Sequence, residues 1–145
     1  MQVDFYQLSR DPAEAALALL ASKTLEAGQR LLVVADDAAL RERIGQALWD
    51  RRDAFLANGE AGGPHDARQP ILLSEAVDPA NAARFTAFAD GRWREEGLGF
   101  ERVFLLFDDA TIEQARTTWR DLKVRDGVDC RYWKQDGGRW VLAAS

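Results

Sequence analysis

The feature that most constrains this chain is Arg30-Leu31-Leu32-Val33-Val34-Ala35, a short continuous apolar run bounded by polar residues. A strand with one face in water alternates apolar and polar side chains, whereas a strand of a parallel sheet covered on both faces reads as an unbroken hydrophobic run. Four other segments read as strands around it: Val3-Asp4-Phe5-Tyr6-Gln7-Leu8, Pro70-Ile71-Leu72-Leu73-Ser74, Ala83-Arg84-Phe85-Thr86-Ala87-Phe88 and Phe100 to Phe107. Helical spacing lies between them. Ser9-Arg10-Asp11-Pro12 places a proline near a first turn, Ala15, Leu17, Leu19, Leu20 and Leu25 fit an amphipathic helix, and Gly28 stands where a left-handed C-terminal cap belongs. Asp36-Asp37 can cap a second helix reaching about Asp50 with apolar Leu40, Ile44, Leu48 and Trp49, and Asp108 and Asp109 a third from about Thr111 to Arg125, ended by Gly127. Asp129 to Lys134 and Arg139 to Leu142, joined by Gln135-Asp136-Gly137-Gly138, predict a closing hairpin. Asn58 to Gln69 has turn-forming composition and no period, so it reads as a surface loop. Alternating strands and helices predict an α/β fold: one domain over residues 1–145, with a mostly parallel sheet and helices on both faces.

Composition narrows what such a fold can do. A hydrophobic content of 47% supplies one continuous core, and no apolar run approaches the roughly 18 residues that cross a bilayer. The start of the chain has no secretory pattern, so a cytoplasmic location is expected. The single Cys130 can make no internal disulfide and no thiolate zinc site. A net charge of −5 opposes direct binding to nucleic acid.

Catalytic signals are sparse. The turn after the first strand, Ser9-Arg10-Asp11-Pro12, has none of the glycines that cradle a phosphate, and those of Gly59 to Gly63 lack the strand-to-helix placement that a nucleotide site needs. His65, the only histidine, lies in the predicted loop without neighbours at metal-ligand spacing. No catalytic, metal or cofactor site is expected. The rival reading is a small nucleotide- or metal-dependent enzyme using Asp36, Asp37, Asp108 and Asp109 at the strand ends.

Binding chemistry concentrates toward the C-terminus. Arg116, Arg120 and Lys123 recur at four and three residues and share one helical face, with Trp119 beside them. From Ile112 to Lys134 six cations (Arg116, Arg120, Lys123, Arg125, Arg131, Lys134) meet four acids (Glu113, Asp121, Asp126, Asp129), a local +2 in an acidic chain. Trp119, Tyr132, Trp133 and Trp140 interleave with these cations, a composition suited to a partner with an acidic group and a hydrophobic anchor. The same aromatics suggest a third reading, a direct single-stranded DNA binder with stacking platforms, which the overall acidity opposes. A second concentration, Ala47-Leu48-Trp49-Asp50 followed by Ala54-Phe55-Leu56, is either core or a hydrophobic partner patch.

Together these features resemble the chi subunit of DNA polymerase III over nearly the whole chain. The similarity is carried by Phe5-Tyr6 in the first strand, by Ala47-Leu48-Trp49 followed by Phe55-Leu56, and by the spacing of Ala115-Arg116, Trp119-Arg120, Gly127 and Tyr132-Trp133-Lys134. The resemblance implies a Rossmann-like fold without a nucleotide site, no enzyme activity and two protein-binding surfaces. One would receive the acidic C-terminal tail of single-stranded DNA-binding protein, with Arg116 on its terminal carboxylate, Trp119 and Leu105 around its final Phe, and Arg120 toward its aspartates. The other, around Trp49 and Phe55, would contact the psi subunit that connects to the clamp loader, or a repair helicase. Ala57-Asn58 stands where many chi sequences carry Pro-His, and Ile112 where some have lysine.

Overall fold

The computed structural model describes residues 1–52 and 54–145. Among these residues eight strands form one sheet in the order β3-β4-β2-β5-β6-β1-β7-β8. They are β1 (Gln2–Gln7), β2 (Leu31–Val34), β3 (Asn58–Glu60), β4 (Ile71–Ser74), β5 (Phe85–Phe88), β6 (Arg102–Phe107), β7 (Asp129–Asp136) and β8 (Arg139–Ala144). Every pairing is parallel except β7 with β8. The apolar run that becomes β2 is flanked by β4 and β5 and is fully buried along its length. The predicted α/β class with a mostly parallel sheet therefore holds.

Among the described residues three α-helices cover the sheet: α1 (Ala13–Glu26), α2 (Ala38–Trp49) and α3 (Ile112–Lys123). Side-chain alternation along the strands divides the core in two. Tyr6, Val33, Leu73 and Leu106 pack with Leu17 and Leu20 of α1 and Ile44 and Leu48 of α2. Phe5, Leu32, Leu105 and the buried Cys130 turn the other way and pack with Ala115 and Leu122 of α3. The helices thus lie on both faces, α1 and α2 on one and α3 on the other.

Most boundaries fall within a residue or two of the sequence expectation, the usual scatter at element ends. Gly28 takes φ +76°, and the amides of Gly28 and Gln29 return to the carbonyls of Leu25 and Thr24, closing α1 with a Schellman motif. Asp37 caps α2 by accepting from the Ala39 amide at 3.0 Å.

Two expectations are corrected. Within the predicted loop Asn58 to Gln69, Asn58–Glu60 forms edge strand β3 beside β4, and Asp66–Arg68 a 3-10 turn. At α3 neither aspartate is the cap: Thr111 holds that position, while the Asp108 carboxylate accepts from the Ala110 amide and the Thr111 hydroxyl to fix the preceding turn.

Candidate functional site

α3 is strongly two-sided. Ala115 and Leu122 are buried against the sheet, Trp119 is half-buried between them, and Arg116, Arg120 and Lys123 stay exposed. The sheet supplies the other half of the site through register: β7 lies beside β1 with Tyr132 opposite Phe5 and Lys134 opposite Gln7. Trp119 meets Phe5 edge-on at 5.2 Å and Tyr132 edge-on at 5.7 Å, while Tyr132 stacks parallel to Phe5 at 6.4 Å. The Tyr132 hydroxyl donates to the Gln7 side-chain carbonyl. These contacts fix an aromatic floor.

Above that floor is a depression of about 380 Å³. Arg116, Trp119 and Arg120 wall it from α3, Gln7, Tyr132 and Lys134 from β1 and β7, and Ala143 and Ala144 from β8. Two alanines leave open space beside the rings. Arg116, Arg120 and Lys134 bring cations to its lining, Lys134 Nζ lies 5.9 Å from the Tyr132 ring centre, and Lys123 Nζ lies 5.3 Å from that of Trp119. Burial pushes the Tyr132 phenol above its ordinary pKa, and the charge of Arg116 partly opposes that rise. Arg116 pairs with Glu113 at 2.9 Å, but both side chains are largely in water. An exposed pair of this kind contributes well under about 1 kcal/mol, so a ligand carboxylate can displace Glu113.

The structure therefore gathers Arg116, Trp119 and Arg120 at one depression. Leu105 is fully buried in β6 beside Phe5, on the face that α3 covers, and does not line the opening. Tyr132 and Lys134 belong to the site by strand alternation, a signal readable once β7 is recognised. Gln7 arrives through the pairing of β1 with β7, distant in sequence, whereas Ala143 and Ala144 lie just past the predicted end of the closing hairpin.

Trp49 and Phe55 occupy the sheet's other side, at the end of α2. Neither is core: Trp49 is 54% and Phe55 81% exposed, and their rings meet edge-on at 6.0 Å. Buried Leu48 and Leu56 anchor the two segments that carry them. Two neighbouring aromatics thus stand in solvent, each next to a buried leucine.

The C-terminal strand ends, where α/β sheets bind ligands, hold a crevice of about 440 Å³ lined by Asp11, Glu14, Asp37, Asp90 and Asp108 with Arg43. Its acidity repels a phosphate. The amides of Ser9, Arg10 and Asp11, at the turn where a dinucleotide-binding fold presents N–H groups, instead donate to the Gln135 side-chain carbonyl at 3.2, 3.0 and 3.3 Å. Of the four strand-end aspartates, Asp36 pairs with Arg92 and Arg94, Asp37 caps α2 and Asp108 fixes the turn before α3. Among the described residues no three His, Cys, Asp or Glu side chains stand together as a metal site, and no helix is long and apolar enough to cross a membrane.

A family model described as DNA polymerase III chi subunit, HolC, matches residues 1–129 of the 145. The match takes in β1 to β6 and all three helices and ends at the first residue of β7. No curated protein matches the chain.

Proposed function

The chain belongs to the DNA polymerase III chi-subunit family, an accessory subunit of a replicative polymerase, and on that premise we propose that it is a non-catalytic adaptor with two protein-binding faces. The α3 face receives the acidic C-terminal tail of single-stranded DNA-binding protein. The Trp49 and Phe55 face contacts psi, and through it the clamp loader, or a repair helicase in its place. In this reading the chain tethers the polymerase machinery to coated single-stranded DNA without touching the DNA.

The observation that carries the reading is the convergence of Arg116, Trp119, Arg120, Tyr132 and Lys134 on one depression in a chain of net charge −5. A ligand that uses it needs a negative group for the guanidinium fork and a flat apolar group for the rings. A peptide ending in an aromatic residue carries both at its last position, and a guanidinium takes a carboxylate in two parallel hydrogen bonds. Acidic residues upstream would then meet Arg120 and Lys134. Asp36, Asp37 and Asp108 are engaged in ion pairing or turn fixing, which favours the adaptor reading over an enzyme at the strand ends.

Calorimetric titration with an acidic peptide ending in Asp-Phe tests the reading, alongside the same peptide lacking its final Phe. Binding is expected to require that residue, and Arg116→Ala is expected to weaken it by about 2 kcal/mol or more, roughly thirtyfold. Equal binding of both peptides, or an unchanged affinity for the variant, would overturn it. For the second face, Trp49→Ala with Phe55→Ala should abolish co-purification with psi and leave the peptide affinity unchanged.

A further inference from the structure

We propose that the cleft between α1 and the β7 and β8 hairpin is a second ligand site, one that takes a small aromatic carboxylate. It lies on the α1 and α2 side of the sheet, away from α3, and the inference is independent of the tail-binding reading.

The cleft has a volume of about 250 Å³. Cofactor-sized ligands occupy roughly 300–1,000 Å³, so this space suits a single ring with a short substituent rather than a nucleotide. Its walls are aromatic. Trp133 stacks on Tyr6 with ring centres 6.0 Å apart and planes 9° from parallel, and Trp140 meets Tyr6 edge-on at 5.0 Å. Phe85 and Phe104 also line the cleft. An inserted ring would find both faces and edges to pack on, the arrangement aromatic pairs prefer.

The lining also holds a positioned guanidinium, ion-paired at one edge with Asp4. The Arg102 guanidinium lies 4.8 Å from the centre of Phe104, and its Nε donates to Asp4 Oδ2 at 2.7 Å. Among the described residues no acceptor takes a hydrogen bond from its two Nη groups, and the side chain is one-third exposed. Asp4 is fully buried, forms an ion pair with Arg102 and is also held by Trp133 Nε1 at 3.1 Å and by Gln2. Lys23, in the last turn of α1, adds an exposed cation to the lining, with no ion pair among the described residues. A guanidinium tied at Nε with its Nη edge unused matches a carboxylate, and the aromatic walls match a ring attached to it. Such a ligand is either a free aromatic acid or the last residue of a chain.

The indole N–H resonances of isotope-labelled protein test the site, because Trp133 and Trp140 report on this cleft and Trp119 on the α3 depression. Phenylpropionate, its neutral amide and N-acetylphenylalanine are titrated separately. At least one acid is expected to shift Trp133 and Trp140 saturably, with the amide binding about tenfold more weakly. Lys23→Glu, on an exposed residue, should weaken the acid several-fold without loss of folding. Tighter binding of N-acetylphenylalanine would identify a chain terminus as the source, and tighter binding of phenylpropionate a free acid. Shifts confined to Trp119, no saturable shift at Trp133 and Trp140, or equal binding of acid and amide would overturn the proposal. Arg116→Ala should leave these shifts unchanged, so this site and the tail site can fail separately.

Discussion

Asp4 shows how a single residue can tie distant parts of the chain together. It sits in β1 with no exposed surface, and Arg102 of β6 and Trp133 of β7 both donate to it from the neighbouring strands. Removing one partner of a buried ion pair costs about 3–5 kcal/mol, because the surviving charge stays desolvated. Here Arg102 is partly in water and can relax outward, so Asp4→Ala is expected at the low end, a loss of about 3 kcal/mol in urea unfolding. Asp90 answers to pH instead. Burial alone would raise its carboxyl, but hydrogen bonds from Arg94 and from the Asp36 and Arg92 amides, with the Arg94 charge, hold it below the ordinary carboxylate range. A carboxylate depressed on folding contributes stability that is fully present above its unfolded value near pH 3.9 and is lost as pH falls through the folded value. Asp90→Asn should therefore lower stability at neutral pH and flatten the decline below about pH 4, which denaturant titrations across that range would detect.

Two glycines separate backbone conformation from space at the level of elements. Gly28 and Gly91 have nearly the same φ, +76° and +75°, but a Cβ on Gly28 would meet nothing within 4 Å while one on Gly91 would come 2.4 Å from Thr111 Oγ1. Gly28→Ala is expected to cost about 1 kcal/mol, the left-handed strain alone. Gly91→Ala must also displace Thr111, whose hydroxyl ties the turn before α3 to Asp108, and should cost roughly 2–4 kcal/mol. Equal losses in thermal unfolding would show that the Thr111 turn yields freely. The same scale explains what could be read from the sequence. β2 was legible because burial on both faces writes an unbroken apolar run, and the cationic face of α3 because helical spacing alone puts Arg116 beside Arg120. β3 was not, since Asn58-Gly59-Glu60 buries no large side chain and is a strand only through backbone bonds to β4. Gln7 joins Tyr132 across 125 positions, and no local pattern encodes such a contact. Leu105 lies in the expected strand and on the α3 face, but it is fully covered beside Phe5 and does not reach the opening.

For the molecule as a whole, the sheet separates two kinds of surface. Its α3 side carries a cationic, aromatic depression within a chain of net −5, and its α2 side the exposed, uncharged pair Trp49 and Phe55. An acidic partner approaching the first face is attracted locally and repelled by the remainder, and both effects are screened beyond about 10 Å at 0.1 M salt. Direct pairing at the exposed guanidinium groups weakens too, because such pairs are strong only at low ionic strength. Affinity for an acidic peptide should fall several-fold between about 0.05 and 0.5 M sodium chloride. Contacts through Trp49 and Phe55 bury apolar surface and should hold over that range. With the sheet between them the faces share no side chain, so their binding energies should add and one molecule should hold both partners at once. Calorimetry of each partner alone and then in the presence of the other, at both salt concentrations, measures this. Salt-independent peptide binding would remove the electrostatic account of the α3 face, and mutual exclusion of the two partners would show that the sheet transmits what happens on one side to the other.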